Sequence, residues 1–148
     1  MQAKEYLNQI RKYDILIDNK KQMIFRLYSQ AESITAAVGK ERFQSSGSKD
    51  KIGDIVAEIV DLRALIRADV EKLTKVKAEV VSTIDKVGDA DLINVLYKRY
   101  VHYKSWTDIA DEMNFTERNV QRLHGKALLI VQKLINPEKL SVNVAKCQ

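Results

Sequence analysis

The chain has 148 residues, of which 45% are hydrophobic, and it carries a formal net charge of +5 at neutral pH. This composition supplies enough apolar side chains for a folded core and excludes a chain that is disordered throughout. One proline and five glycines favour long, uninterrupted helices. The single cysteine, Cys147, excludes a disulfide framework and a cysteine-rich metal site within one chain.

The first predicted element is a long helix over residues 3–38. Neither glycine nor proline interrupts this segment. Apolar residues recur every seven positions, with a second set between them in which Lys20 is the polar break. The two sets are Ile10, Ile17, Ile24, Ala31 and Val38, and Tyr6, Tyr13, Leu27 and Ile34. Two apolar positions per heptad predict a helix that pairs with another helix along a seam.

A second heptad segment extends from Asp50 to Val87, after a glycine- and serine-rich stretch at residues 39–50 that predicts a loop. Asp50 is a candidate N-cap, so we expect the second helix to begin just after it. Asp69 and Thr83 interrupt an otherwise apolar seam, whose members are Ile52, Ile59, Ile66, Leu73, Val80 and Val87 with Ile55, Leu62 and Val76. Lys20 and Asp69 either set register and oligomeric state or mark places where the seam opens.

Two heptad helices of similar length, joined by a loop, predict an antiparallel hairpin over residues 1–88. A two-helix hairpin buries little surface, and Val56, Val70 and Ile84 widen its apolar stripe. We therefore expect a further helix to pack on it, supplied by another subunit or by the C-terminal part of the chain. The pattern leaves open whether the heptad helices pair within one chain or between chains. A homo-oligomer, most simply a dimer, is the expected product of this arm.

Gly88 and Asp89 break the heptad pattern and mark a predicted domain boundary. Residues 89–136 then predict three shorter helices, the first of them over about Asp91–Val101. Residues 137–148 predict a frayed tail. The whole chain is therefore predicted to be all-α.

The second and third short helices have the pattern of a helix-turn-helix. Ser105 and Thr116 are their candidate N-caps. Asn114, between them, tolerates the left-handed backbone angles that a tight turn requires. The small Ala110 lets the third helix, Glu117–Ile135, cross the second at close range. The predicted buried stripe of the third helix is Val120, Leu123, Ala127, Leu128, Val131 and Leu134.

The segment Leu96–Leu128 resembles region 4 of the sigma-70 factors, which reads the promoter −35 element. The matching stretches are Leu-Tyr-Lys-Arg-Tyr, Trp-Thr-Asp-Ile-Ala, Met-Asn-Phe-Thr and Asn-Val-Gln-Arg-Leu-His-Gly-Lys-Ala-Leu. With its helical N-terminal arm, the chain looks like the small sigma-70-like regulators of phages and prophages of Gram-positive bacteria, which are implicated in switching on late genes. This resemblance implies a sequence-specific double-stranded DNA-binding regulator of transcription.

The resemblance also implies which side chains contact DNA. The base-reading positions fall on Glu117, Arg118, Gln121 and Arg122. Arginine and glutamine reach base edges in the major groove, and lysines and hydroxyl groups hold phosphates. The predicted backbone contacts are Lys104, Lys126 and Lys133, with Ser105 and Thr116 at the helix N-termini. His124, on the same helix, is expected to touch phosphate or solvent.

The sequence predicts no enzyme, because it contains neither a phosphate-binding glycine loop nor a catalytic triad pattern. No metal or cofactor is expected. The absence of a signal peptide and of a long apolar run predicts a cytoplasmic protein without a membrane partner. Host RNA polymerase is a further expected partner beside double-stranded DNA.

Two other functions agree with the same pattern. A phage terminase small subunit also joins a helix-turn-helix to an oligomerising helical arm, and it binds DNA for packaging. A protein-interaction module would dock on RNA polymerase without reading DNA. The sequence specifies neither the DNA target nor whether the protein activates or represses.

Overall fold

In a computed structural model, residues 1–38 and 45–137 are described, and they form α-helices without strands. The helices are α1 (Ala3–Val38), α2 (Ser45–Asp85), α3 (Ala90–Leu96), α4 (Trp106–Met113) and α5 (Glu117–Ile135). A single π-helical turn, Tyr97–Val101, continues α3. The predicted all-α class is confirmed. The central part of the predicted loop, residues 39–44, and the predicted tail after residue 137 lie outside the described residues.

Helix α2 begins earlier than the sequence predicted. Its first residue is Ser45, so Asp50 lies inside the helix and is not its N-cap. The stretch before Asp50 contains serines and Gly47, which lower helix propensity by at most about 1 kcal/mol each. No proline blocks the helix there. The predicted loop at residues 39–50 is therefore wrong over its second half.

The chain divides into two compact units. The described part of the hairpin unit consists of residues 13–38, the C-terminal portion of α1, and residues 45–73, the N-terminal portion of α2. The described part of the head unit combines residues 1–12 with residues 74–137, and therefore contains α3, α4 and α5.

In the hairpin unit, α1 and α2 pair within one chain in antiparallel orientation. Lys20 Nζ donates to Asp69 Oδ2 at 2.5 Å, and Arg63 Nη2 donates to Tyr28 Oη at 2.5 Å. Later residues of α1 thus pair with earlier residues of α2, as in an antiparallel hairpin. The two polar interruptions of the seam form an ion pair, with side chains 22% and 15% exposed. They therefore meet across the seam, and the two helices do not separate at this level.

The seam of the hairpin unit is narrow. Its buried apolar side chains are Ile17, Ile55, Ile59 and Leu62. Val56 and Val70, which were expected to widen the apolar stripe, are 52% and 43% exposed, so no helix of the described chain covers them. The flank of α2 that carries them faces solvent. Ile84, in the head unit, is fully buried as expected.

The head unit has a core formed by side chains from several helices. Val95, Ile109, Ala110 and Val120 form one buried cluster, against which Trp106, Met113, Phe115 and Leu123 pack. The ends of the long helices add buried side chains from α1 and α2, among them Leu7, Ile10, Val80 and Ile84.

Hydrogen bonds link the start of α1 to α5 and α2 within the head unit. The Ala3 backbone N–H donates to Gln132 Oε1 on α5 at 2.7 Å. Tyr6 Oη and Thr83 Oγ1 share a hydrogen bond of 2.8 Å between α1 and α2. The first turn of the chain is therefore part of the frame that holds α5.

Candidate nucleic-acid interface

Local capping defines the geometry of α4 and α5. Ser105 Oγ accepts from the Asp108 N–H at 3.1 Å, and Thr116 Oγ1 accepts from the Asn119 N–H at 3.2 Å. Between the helices, Asn114 adopts φ 56° and ψ 39°, the left-handed conformation of a tight turn. The predicted caps and turn residue are confirmed.

The two helices cross at close range. Ala110 on α4 is 4% exposed, while Ile109 and Val120 are completely buried on either side of the crossing. The Phe115 N–H donates to the Ala110 carbonyl at 3.0 Å, which closes the turn. This packing holds one side of α5 against the core and leaves the other side open. In the predicted buried stripe of α5, Leu134 is the exception, because it is 38% exposed.

The open side of α5 carries the predicted reading residues, which we call the α5 face: Glu117, Arg118, Gln121, Arg122 and Lys126. All five side chains are exposed. Arg118, Arg122 and Lys126 succeed one another every four residues, so they line one side of the helix. Within the described part of the chain, no side-chain hydrogen bond or ion pair engages Arg118, Gln121 or Lys126.

A glycine interrupts this face. Gly125 is exposed, and a Cβ atom built there would meet no atom within 4 Å. The backbone is therefore accessible between Arg122 and Lys126, where a bulky ligand could approach α5 closely.

Two members of the α5 face have partners within the protein. Arg122 donates through Nη2 and Nε to Asn119 Oδ1, at 2.9 and 3.3 Å, which orients its guanidinium group along the helix. Glu117 Oε1 accepts from Thr107 Oγ1 at 2.5 Å and so connects the start of α5 to α4. Glu117 therefore has a structural role that the sequence did not indicate.

Lys104 lies in an ion-pair cluster before α4. Its ammonium group and that of Lys98 both contact the Glu112 carboxylate, Lys98 at 2.5 Å. Hydrogen bonds from Lys104 and then Lys98 lower the pKa of Glu112 to about 2. Because Glu112 stays ionised at neutral pH, a phosphate would compete with it for Lys104.

His124 was expected to touch phosphate or solvent, but its side chain is buried. It is 9% exposed, and its Nε2 shares a 2.7 Å hydrogen bond with Tyr100 Oη. The ring meets Trp106 edge-on, with centroids 4.7 Å apart. Burial, and then the charges of Lys4 and Arg99, lower the pKa of His124 to about 4, so the ring is neutral at pH 7. The prediction was wrong because His124 follows Val120 by four residues and lies on the inner side of α5.

The π-helical turn contains Tyr100, the hydrogen-bond partner of His124. The His102 N–H donates to the Tyr97 carbonyl at 3.0 Å, the wider spacing of a π-helix. In this turn Arg99 lies 4.3 Å from the centre of the Trp106 ring and donates to the Lys104 carbonyl at 2.9 Å. The turn thereby positions both the start of α4 and the inner side of α5, a role that sequence periodicity did not reveal.

A comparison with models of protein families matches residues 33–132 to a family described as "Protein of unknown function (DUF1492)". The match covers more than half of the chain and includes α2, α3, α4 and most of α5. No curated protein and no solved structure matches the chain.

A search of the described helices finds none that combines the length and the apolarity needed to cross a membrane.

Proposed function

We propose that this chain, which belongs to the DUF1492 family, binds double-stranded DNA in a sequence-specific manner and regulates transcription. The observation that carries the proposal is the α5 face. A capped helix, held by a close helix-turn-helix crossing, presents Arg118, Gln121, Arg122 and Lys126 to solvent. A helix presented in this way fits the major groove, whose base edges arginine and glutamine can read.

Each residue of the α5 face has its own proposed role. Arg118, Gln121 and Arg122 contact base edges, and Lys126 contacts the phosphate backbone. Glu117 acts mainly through its hydrogen bond to Thr107, which fixes the first turn of α5.

The helix N-termini supply the proposed contacts to the DNA backbone. The hydroxyls of Ser105 and Thr116 accept hydrogen bonds in their caps, so each O–H can still donate to a phosphate. Lys104 and Lys133 add positive charge. Lys104 does so in competition with Glu112.

Regulation of transcription is supported by the resemblance of Leu96–Leu128 to sigma-70 region 4. On that basis we propose phage late genes as the target and host RNA polymerase as a second partner, in the cytoplasm. A homo-oligomer would present two α5 faces and raise avidity without new base contacts.

Selection of bound fragments from a random DNA pool, with and without RNA polymerase, tests the proposal. We expect the protein alone to enrich one motif. Arg122→Ala should weaken binding to that motif by about 1–3 kcal/mol. Lys126→Ala should weaken all sequences alike and lower the salt dependence by roughly one phosphate contact.

Arg26→Ala is the matched control, since Arg26 is an exposed arginine in the hairpin unit. It should leave the affinity for the motif unchanged. Enrichment of no motif, or equal affinity of wild type and both α5 variants in a mobility-shift titration, would refute the proposed role of α5. Binding that appears only with polymerase present would favour a polymerase-docking module.

A further inference from the structure

The ion-pair cluster of Lys98, Lys104 and Glu112 is built like an anion site that already has an occupant. The two ammonium groups converge on one carboxylate, and each of them contacts a different oxygen atom of it. Carboxylates and phosphates are both anions with several oxygen acceptors, and lysine ammonium groups bind either of them. The Glu112 carboxylate therefore occupies a position that suits the oxygen atoms of a phosphate.

The backbone around the two lysines holds them side by side. The Lys104 N–H donates to the Lys98 carbonyl at 2.9 Å, and the Lys104 carbonyl accepts from Arg99 Nη1 at 2.9 Å. Tyr103, just before Lys104, adopts φ 56°, a left-handed conformation that residues other than glycine seldom adopt. The chain thus turns back towards Lys98 at this point. None of these hydrogen bonds involves the Glu112 side chain, so the two lysines stay together without it.

Glu112 is the replaceable member of the cluster. Its side chain is 37% exposed, and it has open solvent into which the carboxylate can rotate. The neighbouring carboxylates on α4 are those of Asp108 and Asp111, which are exposed and form no ion pair within the described part of the chain. Release of Glu112 therefore makes both ammonium groups available to an incoming anion.

We propose that Lys98 and Lys104 form a binding site for one phosphate of the DNA backbone, and that Glu112 occupies this site in the free protein. The choice of DNA rests on the proposed function, because α4 is the first helix of the helix-turn-helix, which crosses the DNA backbone in such complexes. Ser105, the N-cap of α4, directly follows Lys104. Glu112 is thus an internal competitor that lowers the affinity for every DNA sequence alike.

A mobility-shift titration of the full chain with a random-sequence duplex tests the site. Glu112→Gln keeps the size of the side chain and removes its charge. We expect it to raise the affinity about tenfold at low salt, because it frees two lysines from exposed ion pairs. The salt dependence should become steeper by roughly one to two phosphate contacts.

The matched control is Asp111→Asn, which removes the same charge from the neighbouring exposed residue without freeing a lysine. It should raise the affinity at most about twofold, through screened solvent alone. Lys98→Ala should lower the affinity at least about threefold more in Glu112→Gln than in the wild type. Equal gains for Glu112→Gln and Asp111→Asn would overturn the site, and so would an equal effect of Lys98→Ala in both backgrounds.

Inorganic phosphate distinguishes this inference from the proposed function. Titration of Glu112→Gln with phosphate should shift the NMR signals of the Lys98 and Lys104 side chains, whereas Asp111→Asn should show neither shift. Phosphate shifts without any binding of DNA would refute DNA as the source of the phosphate, together with the proposed function. Binding of DNA that is the same for Glu112→Gln and Asp111→Asn, without phosphate shifts, would overturn this site alone.

Discussion

The head unit and the hairpin unit differ in how completely they bury the apolar sides of their helices. In the head unit, the short helices α3 and α4 pack against α5, and Val95, Ile109 and Val120 are completely buried. In the hairpin unit, much longer helix segments bury one seam and leave Phe25 72% exposed. Helix length therefore adds little stability by itself, and what matters is whether a further helix covers each apolar side.

The largest expected effect compares one core isoleucine from each unit. Ile109→Ala should lower the free energy of unfolding by about 2–5 kcal/mol, because the side chain is enclosed on all sides. Ile59→Ala should cost about 2 kcal/mol or less, since a two-helix seam can close over the cavity or admit water. Urea denaturation measures both losses of free energy. Hydrogen exchange shows in which unit each loss occurs. Equal costs would mean that the seam is packed as tightly as the head core.

The next largest effect is the pH dependence of folding stability that arises from His124 in the head unit. The pKa of His124 is lowered to about 4 by burial and by Lys4 and Arg99, whereas an unfolded histidine titrates near 6.5. The unfolded chain therefore binds this proton first. Stability is full above about pH 6.5 and is lost as the pH falls towards 4, by up to about 3 kcal/mol.

Unfolding measured between pH 4 and 7 checks this dependence. His124→Gln, which keeps a polar partner for Tyr100, should flatten the curve. His102→Gln is the matched control, because His102 is exposed, and it should keep the wild-type slope. A slope that survives in His124→Gln would assign the dependence to other groups.

The parts of the fold that local chemistry determines were predictable from the sequence. Ser105, Asn114 and Thr116 each act on backbone groups within a few residues, and the structure confirms all three. The start of α2 was not predictable, because serine and glycine disfavour a helix only weakly. The exposure of Val56 was not predictable either, since a heptad pattern reveals an apolar side but not what covers it.

The candidate site was predictable to a lesser degree. Periodicity placed Arg118 and Lys126 on the outer side of α5, where the structure has them exposed. It did not reveal that His124 is paired with Tyr100, because the two residues meet only after α3 and α5 pack together. Periodicity also did not reveal that Lys104 pairs with Glu112, because that contact brings the residue before α4 against the last turn of the helix. DNA contact by the α5 face stays a prediction.

The smallest expected effect tests what holds the hairpin in register. Lys20→Leu leaves the Asp69 carboxylate, with its side chain 15% exposed, facing an apolar residue. We expect a loss of about 1–2 kcal/mol, between the values for surface and buried ion pairs. Lys20→Leu with Asp69→Leu should recover most of that loss, because two leucines fill the seam. A double-mutant cycle by urea denaturation measures the coupling.

The double variant separates stability from register. In the double variant, the seam layer at positions 20 and 69 is apolar like its neighbours. A shift of α2 along α1 by one heptad should then cost little free energy. Distances between spin labels on exposed positions of α1 and α2 should then broaden, while the wild type gives one narrow distance. A narrow distribution in the double variant would mean that side-chain packing alone sets the register.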